Sequence, residues 1–121
     1  MSVHKRMRFS ERRQELALLH QAFSHPARLY ICELLAENGP ASFDFILRHM
    51  PLAKSTVSHH LRKLEKVQLV AATEEMGEAI YALRRESCQW GYSLIDGFWG
   101  SLSPGLSHDG PFSLNNLPLA S

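Results

Sequence analysis

The residues from Lys54 to Leu64 combine an apolar stripe with hydrogen-bonding side chains, as a helix that reads DNA requires. Val57, Leu61 and Leu64 are spaced by four and three residues, so on a helix they share one face and would anchor it to a core. The opposite face carries small and basic side chains whose donors and acceptors can reach base edges and phosphates in a major groove. An ordinary amphipathic surface helix would show the same pattern, so the neighbouring elements must distinguish the two readings.

Positive charge is concentrated in the first half of the chain. Residues 1–66 hold eleven Lys and Arg against six Asp and Glu, whereas residues 67–121 hold two against six. This segregation suits binding to a phosphate backbone. A basic cluster near the start is either a DNA-contacting arm or a solvated terminus, and its members are Lys5, Arg6, Arg8, Arg12 and Arg13.

Length and composition exclude several classes of protein. A chain of 121 residues, 45% hydrophobic and 21% charged, is typical of one globular domain. No apolar run approaches the roughly 18 residues of a membrane span and none resembles a signal peptide, so we expect a cytoplasmic protein without membrane contact. The sequence has no glycine-rich phosphate loop, nucleophile elbow or convincing pair of carboxylates, and we predict neither an enzyme nor a bound cofactor.

We do not expect the cysteines and histidines to bind a metal. Cys32 and Cys88 are too few for a disulfide framework and lack metal-binding spacing, so reduced thiols are the default. His59 and His60, two of the seven histidines, project roughly 100° apart on a helix and cannot easily share one ion.

Capping and breaking residues predict three helices before Lys54. Ser10 caps the first helix, Pro26 opens the second, and Gly39 follows its end. The third, from Ser42 to His49, leaves only a few residues before Lys54, as a helix-turn-helix requires. The residues expected to form the apolar face of the second helix are Leu29, Ile31, Leu34 and Leu35.

A change of period after the Lys54 helix predicts a β-hairpin. Segments 69–73 and 78–83 flank Met76-Gly77, where glycine permits the positive backbone angle of a tight turn. A hairpin directly after a helix-turn-helix is a wing. Its tip is acidic through Glu74, Glu75 and Glu78.

A last helix runs from about Glu86 to Leu102 and carries more aromatic surface than a small domain is expected to bury. We therefore expect part of it to pack, together with the first helix, against a second subunit. Its glycines either allow close helix approach or indicate fraying, and they are Gly91, Gly97 and Gly100. The residues expected at the dimer interface are Leu16, Leu19, Phe23, Trp90, Leu94, Phe98 and Trp99.

Together these elements predict a mainly α, dimeric winged helix-turn-helix of five helices plus a wing. The domain spans residues 10–102, between a basic arm over residues 1–9 and a loop-like tail over residues 103–121.

Residues 16–102 resemble the ArsR/SmtB family of bacterial winged-helix repressors. Residues 24–29 are similar to the family's helix-opening Pro-x-Arg segment, residues 55–61 to its recognition-helix signature, and residues 80–83 to its returning wing strand. The resemblance implies a homodimer, held by the first and last helices, that binds an operator of imperfect twofold symmetry. It also implies that His60 is a buried or DNA-proximal packing residue and that His59 stands where relatives often carry arginine.

The chain departs from that family at three places. Its metal sensors carry a cysteine pair at the start of the third helix, where this chain has residues 42–44, Ser-Phe-Asp. Its zinc sensors use Asp and His along the last helix, where only Asp96 is available. Neither metal site is therefore expected. The wing tip, usually basic, is acidic here and would be repelled by phosphate.

The sequence thus predicts a homodimeric repressor that binds double-stranded DNA without a metal, and it identifies no effector. One alternative is a winged-helix protein-interaction module that has lost DNA affinity. Another is a thiol-sensing repressor, because some relatives bridge the helices that carry Cys32 and Cys88, although a buried-core role for Cys32 is favoured. The residues expected to read the major groove are Lys54, Ser55, Thr56, Ser58 and His59, and those expected near phosphates are Arg62 and Lys63.

Overall fold

A computed structural model of the chain describes residues 9–103. Within this range five helices pack around a small antiparallel sheet. The helices are α1 (Glu11–Ala22), α2 (Pro26–Asn38), α3 (Phe43–Arg48), α4 (Lys54–Lys66) and α5 (Arg85–Leu102), and the strands are β1 (Ala41–Ser42), β2 (Val70–Glu75) and β3 (Glu78–Leu83). Residues 1–8 of the predicted arm and 104–121 of the predicted tail lie outside the described residues. None of the five helices is long and apolar enough to cross a bilayer.

Side-chain caps account for the starts of the first three helices. Ser10 Oγ accepts a hydrogen bond from the backbone N–H of Arg13, 3.2 Å away, and so satisfies one of the free amides at the start of α1. His25 caps α2 through its Nδ1, which accepts from the N–H of Ala27 at 3.0 Å. Ser42 caps α3 in the same way as Ser10. The predicted helices are thus confirmed, and α4 extends two residues beyond the predicted segment.

The wing forms as predicted between β2 and β3. Glu75 pairs with Glu78 at its tip, and between them Met76 and Gly77 have φ angles of 51° and 81°. Two successive positive φ angles are what a two-residue type I′ turn needs. The turn matches the twist of the strands. Met76, however, adopts a left-handed backbone conformation, which is unfavourable for any residue with a Cβ atom.

The two-residue strand β1 was not predicted. Ala41 and Ser42 pair antiparallel with Tyr81 and Ile80 of β3, so the sheet order is β1-β3-β2. A strand of this length carries no periodicity of its own, and only its pairing with the wing defines it. This pairing attaches the start of the helix-turn-helix to the wing.

The core lies between α2, α4 and the base of the wing. It contains Ile31, Leu35, Ile46, Val57, Leu61 and Leu64. The prediction that Leu29 faces this core is wrong, because its side chain is 45% exposed. Successive helical residues turn by about 100°, so Leu29 projects roughly 200° away from Ile31, which is fully buried.

Helices α1 and α5 pack closely at Gly91. A Cβ atom at this position would lie 3.3 Å from Cδ2 of Leu19, which is tighter than ordinary van der Waals contact. A Cβ at Gly100 would meet nothing within 4 Å. Of the two readings of the glycines, close helix approach therefore applies to Gly91.

Candidate nucleic-acid interface

Helix α4 is held in the domain by the three residues that the sequence assigned to its apolar stripe. Val57, Leu61 and Leu64 have no exposed surface. The seven predicted DNA-contacting residues all retain access to solvent. Lys54, Ser55, His59, Arg62 and Lys63 are exposed, and Thr56 and Ser58 are half-buried.

Two of these residues contact each other. Nη1 of Arg62 donates a hydrogen bond to Oγ of Ser58 at 3.0 Å, one turn earlier on α4. The bond uses an acceptor lone pair of Ser58 and leaves its hydroxyl proton free to donate. It also aligns the guanidinium along the exposed face, so that the predicted base-reading residue and the predicted phosphate-contacting residue form one unit.

The start of α4 is open to an anion. Its N-cap is Ala53, which offers no side-chain hydrogen bond to the first amides. These amides form the positive end of the helix dipole. Lys54 and Ser55 stand at this end and line a shallow depression with Phe43. A positive helix terminus beside a lysine suits a phosphate group.

Behind α4 lies a buried polar contact that sequence reasoning did not find. Nη1 of Arg28 and Nδ1 of His60 are 2.9 Å apart, and the two residues are only 8% and 4% exposed. Arg28 also donates through Nε to the carbonyl of Ala22 at 2.6 Å and through Nη2 to Ser24 Oγ at 3.2 Å. The guanidinium thereby joins the end of α1 to α4. The Pro-x-Arg segment was a signal for Arg28, but nothing local indicated its partner.

Two further histidines surround His60. The ring of His25 lies 4.3 Å from it between centroids, and the ring of His59 lies at 5.8 Å. Burial lowers the pKa of His60 below its ordinary value of 6.5, and His25, Arg28 and His59 lower it further by charge repulsion. His60 is therefore neutral at neutral pH.

The wing tip is acidic and open to solvent. Glu74, Glu75 and Glu78 are all exposed, and Met76 projects fully into solvent between them. No cation in residues 9–103 forms a salt bridge with any of the three glutamates. The tip thus carries negative charge, whereas a wing that binds the phosphate backbone of DNA would carry positive charge.

The two cysteines line one small apolar cavity of about 350 Å³, with Leu19, Leu83 and Ile95 among its other walls. Burial raises the pKa of Cys32 to about 11, with smaller contributions from Cys88 and Glu33, and burial also raises the pKa of Cys88. Both thiols therefore stay protonated and weakly reactive at neutral pH. Over residues 9–103, no three His, Cys, Asp or Glu side chains come close enough together to hold a metal ion.

The residues predicted at a dimer interface differ in exposure. Leu16 and Leu19 are already buried within the single chain, and Phe23, Leu94 and Phe98 are half-buried. Trp90 is 39% exposed and Trp99 is 58% exposed. An open, mainly apolar groove of about 790 Å³ runs between α1 and α5, and its walls include Phe9, Leu16, Ala17, Phe98 and Leu102.

Known proteins are similar to this chain in sequence and in fold. A family model described as a helix-turn-helix domain matches residues 23–72. An uncharacterized HTH-type transcriptional regulator of Methanocaldococcus jannaschii is 38% identical over 65 residues, which cover 54% of this chain and 73% of that regulator. The arsenical resistance operon repressor of Staphylococcus xylosus is 30% identical over 73 residues, which cover 60% of this chain and 69% of the repressor.

A solved structure shows the same architecture. The homodimeric winged helix-turn-helix DNA-binding domain of a Mycobacterium bovis protein, described as a possible ArsR-family transcriptional regulator, has a TM-score of 0.60 and 23% identity. The match covers 84% of this chain and 97% of that one. It confirms the predicted winged helix-turn-helix fold. With this fold and these two sequence relatives, the chain belongs to the ArsR family of helix-turn-helix transcriptional regulators.

Proposed function

We propose that this protein is a homodimeric repressor that binds an operator of imperfect twofold symmetry in the cytoplasm and needs no metal ion to do so. The observation that carries the proposal is the exposed face of α4, which presents hydrogen-bonding and basic side chains while its apolar face is fully buried. Lys54, Ser55, Thr56, Ser58 and His59 are proposed to read the major groove, and Arg62 and Lys63 to contact phosphates.

A dimer is supported by the exposed aromatic surface of α5. Trp99 is more than half exposed, and the groove between α1 and α5 presents a mainly apolar surface to water, with Arg12, Arg13, Gln14 and His20 also in its walls. A second copy that places its own α1 and α5 against this surface would cover it in a twofold contact. Two recognition helices would then address two operator half-sites. The similar winged helix-turn-helix domain from Mycobacterium bovis is described as homodimeric, which supports a dimer here.

Selection of bound sequences from a random DNA pool tests the DNA-binding half of the proposal. We expect an imperfect palindrome, and R62A should weaken recovery of it. The matched control is R85A, which removes another exposed arginine, at the start of α5. An unenriched pool for the wild-type protein would instead favour a winged-helix module that binds proteins.

Sedimentation tests the dimer. We expect the wild-type chain to be dimeric at micromolar concentration and the F98A/W99A variant to be monomeric. L29A is the control, because it removes an exposed leucine from α2, outside the proposed interface. A monomeric wild-type protein, or a dimeric F98A/W99A variant, would contradict the proposed interface.

Thiol sensing is a second candidate, and the shared cavity of Cys32 and Cys88 is the observation that favours it. The raised pKa of both thiols opposes it, because the thiolate is the reactive form. Diamide tests whether the cysteines sense oxidants or are inert. It would accept the two electrons and two protons that disulfide formation releases. Release of DNA by the wild type and not by C32S would support sensing.

A further inference from the structure

The bond between Arg28 and His60 determines where the imidazole carries its proton. A guanidinium has only donors, so it can bond to Nδ1 of His60 only if that nitrogen offers a lone pair. A neutral imidazole with a free Nδ1 carries its proton on Nε2. The geometry therefore fixes His60 as a neutral side chain whose Nε2–H is a hydrogen-bond donor.

This donor has no partner within the described protein. Each fully buried side-chain nitrogen or oxygen of residues 9–103 has a hydrogen-bond partner, and Nε2 of His60 bonds to no residue in that range. Nε2 therefore retains access to solvent although the residue as a whole is buried. Helical spacing places His60 one turn from Thr56 and from Lys63, at the margin of the exposed face of α4.

The position at this margin favours a phosphate as the acceptor. Ser55 and His59 lie near the middle of the exposed face, where base edges would be reached, whereas His60 lies to one side of it beside Lys63. Lys63 is itself proposed to contact phosphate. A neutral donor at this place would contribute to affinity for any DNA sequence.

Arg28 is held firmly enough to orient the ring. Its other donors bond to the carbonyl groups of Gln21 and Ala22 at the end of α1 and to Ser24 Oγ. The carbonyl end of a helix also favours a positive charge. The guanidinium is thus positioned by α1 and positions His60 in turn.

We propose that Nε2–H of His60 donates a hydrogen bond to a DNA phosphate oxygen, and that Arg28 is the positioning residue that maintains the required tautomer. The proposal rests on the proposed DNA-binding function. It adds one contact per subunit that releases no counterion, because the donor is neutral.

Two substitutions separate the two nitrogens. In H60N the side-chain oxygen can occupy the place of Nδ1 and accept from Arg28, but no donor reaches the place of Nε2. In H60Q the amide can reach the place of Nε2, whereas Arg28 loses its acceptor. We expect H60N to keep its fold by circular dichroism and to bind both operator and mixed DNA about tenfold more weakly. H60Q should be less stable but bind DNA more tightly than H60N.

The salt dependence distinguishes this contact from an ionic one. H60N should leave the slope of log affinity against log salt unchanged, whereas the control K63Q should flatten it by about 0.9. Wild-type affinity in folded H60N, or a loss confined to the operator, would overturn the phosphate contact. Absence of DNA binding by the wild type would instead refute the proposed function. If H60N does not fold, H60Q provides the test. In H60Q the bond from Arg28 is lost, so wild-type DNA affinity in this variant would overturn the positioning role of Arg28.

The tautomer is measured in the free protein, independently of DNA. Nitrogen NMR of the imidazoles should show His60 protonated at Nε2 alone in the wild type. R28M should introduce a population of His60 protonated at Nδ1 and weaken DNA binding. R28K should restore part of the Nε2–H population and part of the DNA affinity. An unchanged tautomer in folded R28M would overturn the positioning role.

Discussion

Arg62 and Ser58 are joined by a 3.0 Å hydrogen bond along the exposed face of α4. A side chain predicted to neutralise phosphate therefore also orients one predicted to read a base. Removing either residue disturbs the other, so their effects on binding cannot be independent.

We predict that R62A weakens binding to all DNA sequences and flattens the slope of log affinity against log salt by about 0.9. S58A should mainly reduce discrimination between operator and mixed DNA, by about 1 to 3 kcal/mol if a base contact is lost. Titrations at several salt concentrations measure both effects. The double variant should lose less than the two single losses combined, and full additivity would contradict the coupling.

Reversing the charge of the wing tip should strengthen non-specific binding. Glu74 and Glu75 are exposed at the tip, and in E74K/E75K they would attract phosphates instead of repelling them. The affinity for mixed DNA at low salt measures this effect. The control E33K/E37K makes the same change of charge on exposed residues of α2. Weaker binding by E74K/E75K would mean that the wing already makes a specific contact.

The stability of the fold should decrease in acid because of His60. Its pKa is lowered in the folded protein, so the unfolded chain binds more protons as the pH falls below about 6.5. Neutral His60 therefore makes its full contribution to the free energy of unfolding above about pH 6.5. This contribution is lost as the pH falls towards the lowered pKa of His60 in the folded protein. Urea denaturation between about pH 7.5 and pH 5 measures it. H60N should show a flatter pH dependence than the wild type, and an equal slope would contradict the assignment.

Leucine should have opposite effects at two glycines of α5. G91L would force a side chain against Leu19 and lower the free energy of unfolding by about 2 kcal/mol. G100L meets no atom within 4 Å and should raise it by up to about 1 kcal/mol through helix propensity. Urea denaturation of the two variants checks the contrast. Equal effects would mean that the packing of α1 on α5 does not depend on Gly91.

The helices and the wing could be predicted from the sequence because local interactions specify them. Ser10 and Ser42 cap the helices that follow them, and Met76-Gly77 forms the turn that closes the wing. The same local logic identified the buried stripe of α4 and therefore its exposed face. Caps, β-turns and periodic apolar residues involve residues that are close together in the sequence, so their effects can be predicted from neighbouring residues.

Only the tertiary structure decided which distant residues meet. Arg28 and His60 are 32 positions apart, and β1 exists only through its pairing with β3. The exposure of Leu29 and the close approach at Gly91 likewise depend on how the helices are placed. Such contacts follow from the packing of whole elements, which short-range spacing does not encode. The sequence by itself therefore determined the helix that carries the candidate DNA-binding face, and the tertiary structure determined what lies behind that helix and orients it.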